Sequence, residues 1–240
     1  EVFHDVDSGI SEGYHASIHS TDNDYKARTN AALTEILWPS LDALLFDHRS
    51  LVAAFMVKPP TGSTVVPLHQ DWNTKDESTG AGITCWIPLT PITELEGRMQ
   101  VLPGSHRYVD GLRGSPGFPA PYQQISDRIR DELTVTLDGR VLHTTDQNRS
   151  GRTRVAAYIN ALPSSTPSLH YFMTGEGAVE GYWVDDAFYR NFNIGERPPG
   201  EPFIAIPEYT VEELTWDALR ARMRSLRRRS PFAGRPRTHA

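Results

Sequence analysis

A succession of short apolar runs, cut apart by glycine and proline, constrains this chain most. The runs are Leu51–Lys58, Val65–Trp72, Gly82–Thr90, Arg98–Leu102, Leu133–Leu137, Arg140–Thr144, Thr153–Leu162 and Val179–Val184. Each has strand length, and 18 Gly and 18 Pro supply turns between them. The pattern predicts a mainly β chain: a sandwich, barrel or jelly roll. Leu33, Ile36, Leu37, Leu41, Leu44 and Leu45 recur at helical spacing and predict a helix over residues 30–50, with Pro39 as a break or a new first turn. Thr210 and Glu213 read as a capping box before the apolar stripe Trp216, Leu219, Met223 and Leu226. Gly104–Asp127 reads as a long loop of the kind that forms functional lids. At 240 residues the expectation is one domain over 1–240, its β core at roughly 51–190, with a helical N-terminal flank and a basic C-terminal helix and tail.

Composition excludes several classes. No run of about 18 apolar residues exists, so no membrane span is expected. Cys85 is the single cysteine, which excludes an internal disulfide framework and Cys-rich zinc or iron–sulfur sites. It reads as inert core, and a metal site must use His, Asp or Glu. No signal-peptide pattern follows Glu1, and a reducing cytoplasm is the expected location. Eight arginines and no acids follow Asp217; this +8 leaves −14 on the rest of a chain whose total is −6. So acidic a body argues against a nucleic-acid partner, and the basic tail reads as a solvated helix end.

Three motifs carry chemistry. In Pro67-Leu68-His69-Gln70-Asp71-Trp72, strand alternation points His69 and Asp71 to one side. That pair can bind a metal or simply hydrogen-bond, since about one His-x-acid is expected by chance in this composition. Gly97 through His106 is a strand entering a tight Pro-Gly turn. His143 through Arg154 closes one strand with a histidine and opens the next with an arginine. A third neutral ligand from a distant strand would complete a two-His, one-carboxylate set that suits non-haem Fe(II). An arginine one strand away can grip a carboxylate through two parallel hydrogen bonds.

His69-Gln70-Asp71-Trp72, Leu102-Pro103-Gly104-Ser105-His106 and His143 through Arg154, in this order, resemble the phytanoyl-CoA dioxygenase family of Fe(II)- and 2-oxoglutarate-dependent oxygenases over roughly Val57 to Leu162. Tyr25-Lys26-Ala27-Arg28 and Trp183 through Tyr189 resemble bacterial members. The resemblance implies a double-stranded β-helix, a cupin-like jelly roll with flanking helices. It implies His69, Asp71 and His143 as catalytic iron ligands. Arg154, eleven residues after His143, would hold 2-oxoglutarate, with Arg152 as the fallback. Thr145, Trp86 and Lys58 would help. Tyr25, Trp72, Arg107, Arg113 and Trp183 are placed as substrate contacts. His106 reads as a turn contact; His15, His19 and His170 lack partner spacing and read as surface or supporting residues. One departure is that Gly139 precedes His143 by only four residues, fewer than the family pattern has.

The implied reaction uses O2 and 2-oxoglutarate, releases succinate and CO2, and hydroxylates an unactivated C–H of a small or medium organic molecule, such as a bacterial metabolite. A true Asp71 favours hydroxylation, desaturation or ring closure over halogenation. The alternatives are a cupin-type metal hydrolase or isomerase, or a non-catalytic jelly-roll binding module. The sequence leaves the oligomeric state open.

Overall fold

The computed structural model describes residues 13–60, 65–80, 82–109, 111–115, 117–130 and 141–229. The elements, in order, are β1 (His15–Ala16), α1 (Asn23–Asp42), β2 (His48–Lys58), β3 (Val66–His69), β4 (Ile83–Pro88), β5 (Met99–Val101), α2 (Ser126–Arg130), β6 (His143–Thr145), β7 (Arg154–Pro163), β8 (Ser168–Met173), β9 (Val179–Val184), α3 (Asp186–Asn191), β10 (Ile204–Ile206) and α4 (Trp216–Arg229). They form three antiparallel sheets, ordered β1-β2-β7-β4, β10-β9-β8 and β3-β6-β5. The architecture is a jelly roll.

Period-two alternation along β7 explains how the large sheet divides inside from outside. Ala157 and Ile159 point outward and pack with Ala53 under Leu33 of α1. Tyr158 and Asn160 point the other way and line a cavity. A second core cluster joins Leu68, Leu102, Tyr108, Ile125 and Leu142 to Leu219 of α4. Among the described residues no helix is long and apolar enough to cross a membrane.

Several sequence expectations need correction. The first helix starts at Asn23, not Asn30, because Asp22 caps it by accepting from Tyr25 N at 3.0 Å. Its first half buries Tyr25, Lys26 and Thr29 as well as Leu33, so no plain apolar stripe announces it. Lys26 is affordable there because its ammonium donates to Asn191 O, Phe192 O and Asn193 Oδ1. The helix runs through Pro39 and ends at Asp42, and His48–Ser50 already belong to β2. The last helix begins at Trp216; Thr215, not Thr210, caps it by accepting from Ala218 N. The Gly104–Asp127 stretch is no lid: its described residues include the core residues Tyr108, Val109, Tyr122 and Ile125, and none lines the cavity. Strands β8 and β10 were not anticipated. The expected strand at Leu133–Leu137, Gly139 and the tail from residue 230 lie outside the described residues.

Candidate active site

His69 and His143 come together because they are register partners on the antiparallel strands β3 and β6. Their rings lie 4.1 Å apart, centroid to centroid. Asp71, just beyond β3, brings Oδ1 to 3.6 Å from His143 Nε2 and 3.9 Å from His69 Nε2. One ligand atom from each of the three lies within 4.8 Å of the others, a grouping that could hold a metal ion.

The surroundings set the donor atoms. His69 Nδ1 is 2.7 Å from Pro67 O, and His143 Nδ1 is 2.8 Å from Val141 O. A carbonyl can only accept, so each Nδ1 carries a proton, and in the neutral ring Nε2 is the nitrogen whose lone pair faces Asp71. Burial and then the neighbouring His143 ring lower the His69 pKa to about 4, which keeps that imidazole neutral. Asp71 is aimed too: Thr84 donates to its Oδ2 at 2.9 Å, and Asn160 Nδ2 donates to Thr84 Oγ1 at 3.0 Å. Arg113 Nε donates to the Asp71 carbonyl at 2.8 Å.

A second cluster lies on β7. Arg154 is 0% exposed, with Nη1 donating to Gly97 O at 2.8 Å. Among the described residues its Nε and Nη2 are buried without a hydrogen-bond partner, as are Trp86 Nε1 and Thr145 Oγ1. The guanidinium lies 5.7 Å from the ring centroid of Trp86, a cavity-lining side chain. Gly97 is required at its position: φ is +68°, and a Cβ there would meet Asp146 O at 2.1 Å. Lys58, the register partner of Arg154, donates to Thr145 O at 3.2 Å and Asp146 O at 2.5 Å. Burial and then the Arg154 charge lower its pKa to about 7. Asn148 fixes the β6–β7 connection by donating to Lys58 O, Pro59 O and Arg152 O.

The structure therefore brings together His69, Asp71 and His143, and separately Arg154, Thr145, Trp86 and Lys58. Trp72 lines the cavity, backed edge-on by His170 and Phe192. The other expected contacts do not line the cavity. Arg152 is an exposed partner of Glu96 at 2.6 Å. Tyr25 is buried against His15 and does not line the cavity. Arg107 is exposed in a turn. Arg113 is spent on Asp71 O, Gly111 O and Glu77. Trp183 is 54% exposed and stacks on Phe203. His15 and His170 are buried, not surface residues, while His19 lines the cavity. Sequence reasoning missed Thr84, Tyr158, Asn160 and Tyr14. The first three were within reach, because alternation from Arg154 puts 158 and 160 on its face of β7, and Thr84 is the register partner of Asn160.

Residues 5–156 match the phytanoyl-CoA dioxygenase (PhyH) family. The chain belongs to the phytanoyl-CoA dioxygenase family. The matched span holds both clusters. Among solved structures this family member is similar to the non-haem α-ketoglutarate-dependent carbocyclase SnoK from nogalamycin biosynthesis. The identity is 16% and the TM-score 0.50, over 84% of this chain and 78% of that one. The epimerase SnoN from the same pathway, solved with Fe3+, α-ketoglutarate and nogalamycin RO, gives 17% identity and a TM-score of 0.48, over 83% and 76%. At 16% identity the likeness to SnoK speaks to the fold alone. No curated protein matches significantly.

Proposed function

We propose that this PhyH-family chain is an Fe(II)- and 2-oxoglutarate-dependent dioxygenase that hydroxylates a C–H bond of a small or medium organic molecule. The observation that carries the reading is the pair of Nδ1-protonated imidazoles whose free Nε2 atoms converge with Asp71 Oδ1. Two neutral nitrogens and one carboxylate oxygen are the donor set that suits Fe(II). The buried unpaired donors fit the co-substrate: a carboxylate would satisfy Arg154 Nε and Nη2, with Thr145 Oγ1 and Trp86 Nε1 nearby in the same cluster.

In this reading His69, Asp71 and His143 hold the metal, and Arg154 holds the far carboxylate of 2-oxoglutarate. Such a centre supplies the oxidation of a C–H bond by O2, coupled to conversion of 2-oxoglutarate to succinate and CO2. The chain's own residues orient and shield. Thr84 holds Oδ2 of Asp71 and leaves Oδ1 to the metal. Lys58 and Asn148 pin the β6–β7 turn between the two clusters. The cavity walls beside the reacting groups are mostly apolar.

The test is succinate formation from 2-oxoglutarate in air. The expected result requires Fe(II) and stops when Fe(II) or O2 is withheld. Succinate formation unaffected by removing Fe(II), or none at any Fe(II) concentration, would overturn the reading. A hydroxylated product, not a desaturated or cyclised one, completes it.

A further inference from the structure

The cavity beside the three candidate ligands has a chemistry of its own. It measures about 370 Å³ and is walled mostly by apolar and aromatic side chains, among them Trp72, Trp86, Tyr189, Phe192 and Met99. Among the described lining residues there is no lysine, arginine or glutamate, and Asp71 is the single acid. The two arginines expected among the substrate contacts are engaged or placed elsewhere: Arg113 binds Asp71 O and Glu77, and Arg107 is exposed and does not line the cavity. A phosphate or a nucleotide-linked thioester would enter these walls with its charge unpaired. Aromatic walls instead suit a flat, uncharged ring system.

Several polar side chains in the walls are already engaged. The Thr84 hydroxyl gives its hydrogen to Asp71 and accepts from Asn160. Tyr189 donates to Leu169 O, and Gln70 to Val109 O. The Tyr158 hydroxyl makes no such bond with the described residues, yet Tyr158 lines the cavity. It sits one pleat from Asn160 and opposite Trp86, on the face that reaches Asp71 through Thr84. Burial, then the Asp71 and Tyr14 charges, push its phenol well above the usual range, so it stays protonated and can donate.

We propose that the cavity receives an uncharged, ring-bearing, mainly apolar substrate, and that Tyr158 donates a hydrogen bond from Oη to an oxygen of that substrate. That bond would decide which carbon faces His69, Asp71 and His143. The proposal rests on reading this cavity as the oxygenase active site.

The experiment measures binding of two probes to the full, metal-free chain by calorimetry. The probes are 2-acetylnaphthalene and 2-isopropylnaphthalene, in which a methyl replaces the carbonyl oxygen. Tyr158→Phe removes one oxygen and keeps the ring. The variant is expected to weaken the ketone roughly five- to tenfold, as loss of one neutral hydrogen bond would, and to leave the hydrocarbon within about twofold. Acetyl-CoA is expected not to displace either probe. Equal behaviour of the two probes in both proteins, binding of neither, or displacement by acetyl-CoA would overturn the proposal. Because the hydroxyl has no hydrogen-bond partner among the described residues, the variant should melt with the wild type; a clearly lower Tm would show a structural role and also overturn it. Probe binding needs no iron, so its failure leaves the succinate result standing. Absent succinate with intact probe binding would sink only the oxygenase reading.

Discussion

Strands β3 and β6 carry the two candidate histidines on four and three residues, and their register breaks between Val66 and His69. Strand β7 carries Arg154 and Tyr158 on ten residues, paired continuously with β4 and, apart from one irregularity, with β2. The short pair cannot hold an imbalance of forces through packing alone. It fixes its rings by local hydrogen bonds, each Nδ1 to the carbonyl two residues back. The long strand fixes its side chains by register and burial, and leaves polar atoms unpaired to do so. The metal side should therefore be sensitive to single hydrogen bonds, and the β7 side to loss of charge or bulk.

The largest expected effect is on β7. Arg154→Ala should raise the 2-oxoglutarate concentration needed for half-maximal succinate formation about a hundredfold or more, since it removes a buried charged donor. Metal affinity, measured by titration, should hardly move; a parallel loss of both would merge the two regions into one unit.

The wall behind Trp72 extends the contrast to pH. His170 is 0% exposed among Trp72, Phe188 and Phe192, and burial lowers its pKa to about 4. Unfolded, it takes up a proton near pH 6.5. Between pH 6.5 and 4 the unfolded chain therefore binds more protons, and stability falls as pH drops. From pH 7 to pH 5 this contributes a loss of about 2 kcal/mol. Urea unfolding of His170→Phe at both pH values should show a correspondingly smaller loss; an unchanged difference would assign the acid sensitivity elsewhere.

A smaller effect is expected on the metal side. Thr84→Val removes the hydrogen bond to Asp71 Oδ2 and should weaken metal binding roughly tenfold, as loss of an outer-shell partner does. Thr84→Ser should restore it. The smallest expected effect is Arg152→Ala: its guanidinium lies on the surface against Glu96, so the 2-oxoglutarate requirement should stay within about twofold.

The two regions also differ in how far the sequence revealed them. His69 and Asp71 were legible because two residues of separation and one local strand decide their common face. His143 and Arg154 were legible through the spacing carried by the resemblance, and Asn148 gives that spacing a physical basis by closing the connection. Arg113 and Trp183 misled because residue type says nothing of partners: Arg113 is consumed by Asp71 O and Glu77, and Trp183 by Phe203. Alternation from Arg154 could have placed Tyr158 and Asn160 on its face of β7, but their link to Asp71 through Thr84 depends on pairing with β4, which no local pattern encodes. The helical start at Asn23 was hidden by polarity, since Lys26 is buried on hydrogen bonds made about 165 residues away in sequence.

The central claim is that His69, Asp71 and His143 hold Fe(II) while Arg154 holds 2-oxoglutarate. The most direct measurement is the visible absorption spectrum after adding Fe(II) and 2-oxoglutarate without oxygen. The expected result is the weak charge-transfer band of a chelated keto acid in wild type, lost in Asp71→Ala and His143→Ala. No band in the wild type, or one that survives both substitutions, would contradict it.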